Sequence, residues 1–156
     1  PDYRSAENTF SLVVQVAGRA GRDGRSSRVV VQTSNPEHYS LRCAATNDYE
    51  DFYAAELPSR KAFSFPPFAE LAVVTRTDAD DAKAAASARE AAEAVAAGLL
   101  KEGIEGIRVM GPAPAFIHRL RGEYRWQVTL KGDGLERARH LAPRGKGWSY
   151  DVDPVT

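Results

Sequence analysis

Apolar positions along the chain follow two periods, one helical and one alternating, and the change from one to the other falls near residues 62–66. Phe10, Val13, Val14 and Ala17 recur at helical spacing and, with Ser5 as a cap, predict a helix over residues 5–17. Gly18, Gly21 and Gly24 crowd the segment behind it and predict an abrupt stop. Val29-Val30-Val31, bounded by Arg28 and by Asn35-Pro36, predicts a short buried strand. Residues 37–45 and 48–62 predict two more helices. The second has an apolar face of Tyr49, Phe52, Tyr53 and Leu57, and Pro58 is expected to end or kink it. Phe65-Pro66-Pro67-Phe68 forces an extended path and places a domain boundary at 62–66.

The second half alternates more cleanly. Leu71 to Thr77 is rich in β-branched residues and predicts a strand. Residues 79–101 predict an Ala-rich helix whose stripe runs through Ala84, Ala88, Ala91, Val95 and Leu99. Asp78, Asp80 and Asp81 suit the dipole at its start, and the helix reads as an acidic side from which DNA would be excluded. Ile107 to Met110 predicts a strand, Gly111-Pro112-Ala113-Pro114 a rigid turn, and Phe116–Leu120 with Tyr124–Lys131 a hairpin around Arg121-Gly122-Glu123. Residues 134–142 predict a short helix, and Trp148, Tyr150 and Val152 a last strand. The order β-α-β-β-α-β is the split βαβ pattern: a four-stranded sheet with two helices.

Composition changes this picture little. The 156 residues carry 21 basic and 21 acidic side chains, so no global field points to a nucleic acid or a membrane. Cys43 is the only cysteine, which excludes a disulfide framework and a cysteine-rich zinc site within these residues. No apolar run is long enough for a membrane span, and a soluble cytoplasmic protein is expected. Residue 1 is proline and the single methionine is Met110, so a piece of a longer chain is expected.

The chemistry centres on Gln15-Val16-Ala17-Gly18-Arg19-Ala20-Gly21-Arg22, a Q-x-x-G-R-x-G-R string at a helix end. Its glycines admit close backbone approach, and its arginines present planar charged forks suited to phosphate oxygens. Such a cation, placed outside a phosphate cradle, stabilises charge in phosphoryl transfer. The string resembles motif VI of superfamily 2 helicases. Tyr3-Arg4 with Glu7, Gln32-Thr33-Ser34-Asn35-Pro36, Asp48-Tyr49 with Phe52, Glu56-Leu57 with Arg60, Phe65-Pro66-Pro67-Phe68, Gly111-Pro112, Tyr124-Arg125-Trp126-Gln127 and Asp151-Val152-Asp153-Pro154 follow in order. Together they resemble the PriA family of primosomal replication-restart helicases.

That resemblance implies an α/β architecture. Residues 1–62 would close a RecA-like second helicase lobe, and residues 63–156 would form an α+β C-terminal domain similar to a small ribosomal-subunit protein. It implies that Gln15, Gly18, Arg19, Gly21 and Arg22 face a nucleotide, with Arg22 and Arg19 as the arginine finger. It implies a monomeric part of an ATP-dependent 3′–5′ DNA helicase that binds stalled or branched forks, promotes primosome assembly and reloads the replicative helicase. Implied partners are forked or single-stranded DNA, single-stranded-DNA-binding protein, and primosome and helicase-loading proteins. The resemblance implies ATP and Mg²⁺ as cofactors of the longer protein if that protein is active, and Zn²⁺ in a cysteine module of the longer protein that is absent from these residues. No G-x-x-x-x-G-K-[ST] cradle occurs here, so this chain alone is not expected to hydrolyse ATP. The alternative is a non-catalytic DNA-binding and protein-docking scaffold. A ribosomal or RNA-binding module would not need the arginine string.

Arg119, Arg121, Arg125, Gln127 and Lys131, with His118, make a basic hairpin opposed by Glu123 and are candidate DNA contacts. Trp126 and Trp148 alternate with apolar neighbours and are expected in the core. Asp151 and Asp153 are expected to be solvated or turn-forming rather than metal ligands, and His38, His118 and His140 have no ligand spacing. The stretch 132–147 looks shortened against the family pattern, which puts partner contacts there in doubt.

Overall fold

The computed structural model describes residues 3–20 and 28–154. The chain divides into two compact units, residues 1–63 and 64–156.

The described part of the first unit is helical: α1 (Ser5–Ala20), α2 (Tyr39–Thr46) and α3 (Tyr49–Ala62). Two of these helices start on side-chain caps. His38 accepts from the Ser40 amide, and Asp48 from the Asp51 amide at 2.9 Å. Their apolar faces meet at Phe10, Ala44 and Phe52, with Ala6, Val13, Val14, Tyr39 and Cys43 packed around them. Phe10 stacks on Phe52 with ring centroids 4.6 Å apart.

Three expectations fail here. Val29-Val30-Val31 forms no strand, and Val30 is 82% exposed. A strand needs a paired neighbour, and the described residues of this unit offer none. Pro58 neither ends nor interrupts α3, which runs on to Ala62. Proline there forfeits a hydrogen bond to the Ala54 carbonyl, but both residues lie on the exposed side, where water can serve that carbonyl. Finally, Tyr49 and Tyr53 are exposed rather than inward, and the buried positions of α3 are Phe52 and Glu56.

The second unit is a split βαβ sandwich. Strands β1 (Glu70–Asp78), β2 (Ile107–Leu120), β3 (Glu123–Gly132) and β4 (Trp148–Val152) form one sheet in the order β2-β3-β1-β4. Every neighbouring pair is antiparallel. Helix α4 (Asp81–Lys101) crosses from β1 to β2, and a 3₁₀ helix (Leu135–Leu141) connects β3 to β4. Both pack on one face of the sheet. There Ala88, Ala92, Val95 and Leu99 of α4 and Leu135 and Ala138 of the 3₁₀ helix cover Ala72, Val74, Val128 and Leu130. The whole predicted stripe of α4 is buried. Small residues let the helix approach closely: a Cβ on Gly98 would lie 2.7 Å from Leu141 Cδ2. Trp126, Trp148 and Tyr150 flank the core, half-buried. Burial, then the charge of Glu136, raises the Tyr150 phenol above its ordinary value.

The helix is not the acidic element expected. Asp81, Glu90 and Glu93 balance Lys83, Arg89 and Lys101 along α4, and only its entry is acidic. At that entry Asp80 accepts from the Lys83 amide at 3.0 Å, and the Asp80 amide donates to Asp78 at 3.0 Å. That backbone hydrogen bond, outweighing burial and aided by Arg76, holds the Asp78 carboxyl below the usual range.

The turn expected at Gly111-Pro112-Ala113-Pro114 is absent. β2 runs through it as one long strand with register shifts on either side. β2 lies at the sheet edge, where prolines lacking an N–H are tolerated. Arg121 and Gly122 make the two-residue hairpin turn with φ of 52° and 88°, the paired positive angles that match strand twist. The second helix is a single seven-residue 3₁₀ segment, begun by the Leu135 amide donating to Glu70 Oε2 at 2.7 Å.

Candidate nucleic-acid interface

Alternation along β3 divides its side chains between two environments. Trp126, Val128 and Leu130 face the helices. Arg125, Gln127, Thr129 and Lys131 face the opposite side, which neither helix covers. On β1 they pair with Thr77, Thr75, Val73 and Leu71. On β2, Arg108 stands beside Lys131, and Met110 beside Thr129. Three cations and an amide therefore share one open sheet face. Gln127 Nε2 donates to Thr75 Oγ1 at 3.3 Å, which fixes the amide over the central strand. The Lys131 ammonium lies 4.1 Å from the centroid of Phe65, from the segment leading into β1. Partial burial and then the nearby Arg108 cation hold the Lys131 pKa below the ordinary lysine value.

The five residues expected to act as one basic hairpin are thus divided. Arg125, Gln127 and Lys131 belong to the open face. Arg119 and Arg121 stand at the hairpin end, both exposed, with the Arg119 guanidinium 5.1 Å over the Tyr124 ring. His118 faces the other way and meets Asp81 at 3.0 Å. Arg108 was not among the sequence candidates. Its signal is the alternation Arg108, Met110 in a strand whose partners were not evident before the register was known.

Of the arginine string, Gln15, Gly18 and Arg19 lie on the last turns of α1, all exposed. Among the described residues a Cβ on Gly18 would meet nothing within 4 Å. Gly21 and Arg22 lie outside the described residues.

The residues that accompany the string in the family pattern form one network. Glu56 is 6% exposed on α3 and accepts from the Tyr39 hydroxyl of α2 and from Arg60 Nε at 2.8 Å. Arg60 Nη2 continues to Glu7 of α1 at 2.9 Å, and the guanidinium lies 5.5 Å over the Tyr3 ring. Burial alone would lower the Arg60 pKa. The hydrogen bonds it donates to Glu56 and Glu7, with their charges, outweigh it and raise the value. Burial, then the Glu56 hydrogen bond and charge, push the Tyr39 phenol well above its ordinary value. These residues join three helices and belong to structure rather than to a ligand.

The remaining candidates are structural too. Asp153 accepts from the Leu71 amide at 3.2 Å and donates its own amide to Leu71 O at 2.6 Å, continuing the β1–β4 ladder. His38 is a cap, and His140 contacts Glu102 at 2.9 Å. Among the described residues no cluster of three or more His, Cys, Asp or Glu is placed to hold a metal, and Cys43 packs at the first core. No described helix is long and apolar enough to cross a membrane.

Residues 61–155 match the family model of the primosomal protein N C-terminal domain. Over 131 residues the chain is 40% identical to the replication restart protein PriA of Bacillus subtilis, covering 84% of this chain and 16% of that protein. The PriA of Treponema pallidum is 39% identical over 165 residues, covering 99% of this chain and 24% of its own length. That of Thermotoga maritima is 39% identical over 137 residues, covering 88% and 17%. The chain spans between about a sixth and a quarter of these relatives. With the split βαβ unit on residues 64–156, these matches show that the chain belongs to the PriA family and carries its C-terminal domain.

Proposed function

We propose that this chain serves replication restart by gripping forked DNA through the open sheet face of its second unit. The observation that carries the reading is the row Arg125, Gln127 and Lys131, joined by Arg108, on a face no helix covers. Arginine forks and a lysine at that spacing suit phosphate oxygens, and the Gln127 amide can serve a phosphate or a sugar. The relatives' name, replication restart protein, directs the choice toward forks. Arg119, paired with Tyr124 on the other face, and Arg121 in the turn would add positive charge at the hairpin end.

In the longer protein, the end of α1 would border an ATP site, with Gln15, Arg19 and Arg22 facing the phosphates and a cradle elsewhere supplying Mg²⁺. The exposure of Gln15 and Arg19 on the last turns of α1 fits that approach. Zinc would be held by a cysteine module elsewhere in the longer protein. Single-stranded-DNA-binding protein and helicase-loading proteins are the expected partners of the whole assembly, which acts in the cytoplasm.

Fluorescence anisotropy with a forked DNA across a salt series tests the grip. Each phosphate that a cation neutralises contributes about 0.7–0.9 to the salt slope, so Arg125→Ala with Lys131→Ala is expected to flatten it by roughly 1.4–1.8. An unchanged slope would overturn the sheet-face reading. In the longer protein, Arg22→Ala should cut DNA-stimulated ATP hydrolysis by about 10³–10⁵ while leaving fork affinity intact.

A further inference from the structure

The edge strand carries a feature that phosphate binding does not use. Pro114 pairs with Trp126 and Arg119 with Tyr124, so β2 holds three residues in excess over β3 between those pairs. The excess arches out. Ala115 turns inward at 5% exposure, whereas Phe116 and Ile117 stand in solvent at 86% and 52%, and Leu120 follows at 45%. The base of the arch is anchored. Asp81 Oδ1 accepts from Trp126 Nε1 at 2.7 Å and lies 3.0 Å from His118 Nε2. The His118 ring also meets Tyr124 and Trp126 at centroid distances of 5.5 and 5.8 Å. An aromatic ring is thus held in water on the same arch and hairpin end as the exposed Arg119 and Arg121; Glu123 in the turn and Asp81 at the base are acids of this end, and Asp81 is already engaged by His118 and Trp126.

We infer that this arch is a base-stacking wedge: Phe116 takes an unpaired base at the junction of single and double strands, while Arg119 and Arg121 hold the neighbouring phosphates. The pairing of a presented ring with flanking cations selects nucleic acid over an apolar protein groove, because both halves of a nucleotide then find a partner. The inference rests on the forked-DNA reading above. It adds a contact to a base, which the sheet face does not supply, and so makes the junction rather than the duplex arm the preferred target.

The test uses the 156-residue chain and a DNA fork with 2-aminopurine as the first unpaired base. Binding is expected to quench the probe by stacking. Phe116→Ala should remove the quenching and weaken fork affinity by roughly 5-fold to 150-fold, with the salt slope unchanged because every phosphate-binding cation remains in place. Phe116→Trp should restore both. The side chain is exposed, so both variants should keep the parent thermal midpoint. Affinity and quenching unchanged in Phe116→Ala, with Arg125→Ala and Lys131→Ala still weakening binding, would overturn the wedge and leave the sheet-face grip standing. Fork binding unaffected by Phe116→Ala, but loss of binding to an acidic peptide in the same variant, would assign the arch to a protein partner instead. If the parent chain bound no forked DNA, both readings would fall.

Discussion

Replacing Arg60 by leucine would strand a buried carboxylate, and the consequence can be worked from the geometry. Arg60 meets Glu56 at 2.8 Å and Glu7 at 2.9 Å, with side-chain exposures of 13%, 8% and 46% respectively. The Glu7 leg is half in water and contributes at most about 1 kcal/mol. The Glu56 leg is different. Removing one partner of a buried pair leaves an uncompensated charge, at a cost of about 3–5 kcal/mol. The Tyr39 hydroxyl still donates to Glu56, which places the expected loss near the lower end, about 3 kcal/mol. A unit of 63 residues carries roughly 3–9 kcal/mol of stability in total, so the loss is a large share of it. The midpoint should fall by about 12 °C or more. Both tryptophans, Trp126 and Trp148, lie in the second unit, so their fluorescence reports that unit alone, whereas far-UV circular dichroism also follows α1, α2 and α3. Arg60→Leu should lower the helical transition and leave the tryptophan transition in place. Glu56→Gln combined with Arg60→Met should recover part of the loss, because no charge is then left unpaired. A shift worth under about 1 kcal/mol, or a double variant no better than the single, would refute the buried-pair argument.

Two further outcomes follow from other sites. Gly132 has φ of 150°, and a Cβ there would overlap the Gly106 carbonyl oxygen, so Gly132→Ala should cost the second unit about 2–4 kcal/mol by urea unfolding followed through tryptophan fluorescence; an unchanged midpoint would mean that the β2–β3 end opens freely. Folding holds the Tyr39 proton more tightly than the unfolded chain does, so that contribution is intact below the ordinary tyrosine value of 10.0 and is lost as pH rises above it. Tyr39→Phe should cost about 1 kcal/mol at about pH 8 yet flatten the decline between about pH 9 and 11 in urea midpoints read by circular dichroism, and parallel declines in the two proteins would count against the assignment.

Local pattern determined most of the second unit. The α4 stripe, the alternation of β3 and the apolar run of β1 each carry their own period, and a helix or strand that buries one face has little choice of face. The hairpin turn was likewise legible, since Arg121-Gly122 lies between two alternating runs. The arginine string and its companions were legible as a family pattern, and Gln15, Gly18 and Arg19 do fall together on one helix end. What sequence could not decide depended on partners distant along the chain. Val29-Val30-Val31 has strand-like composition, but a strand exists only against a neighbour. Gly111-Pro112-Ala113-Pro114 has turn composition, but an edge strand accepts its prolines. Nothing in the sequence marks Glu56 as buried; Tyr39 of α2 and Arg60 of α3 converge on it only in the fold. The basic residues of the hairpin formed a single cluster in sequence, and only the register of β2 against β3 divided them. It set Lys131 beside Arg108, with Arg125 farther along the same face, and lifted Phe116 out of the ladder. Side-chain period is a local property and can be read from the chain; register, edge position and the surplus of residues between paired strands are properties of the sheet, and only the tertiary structure supplies them.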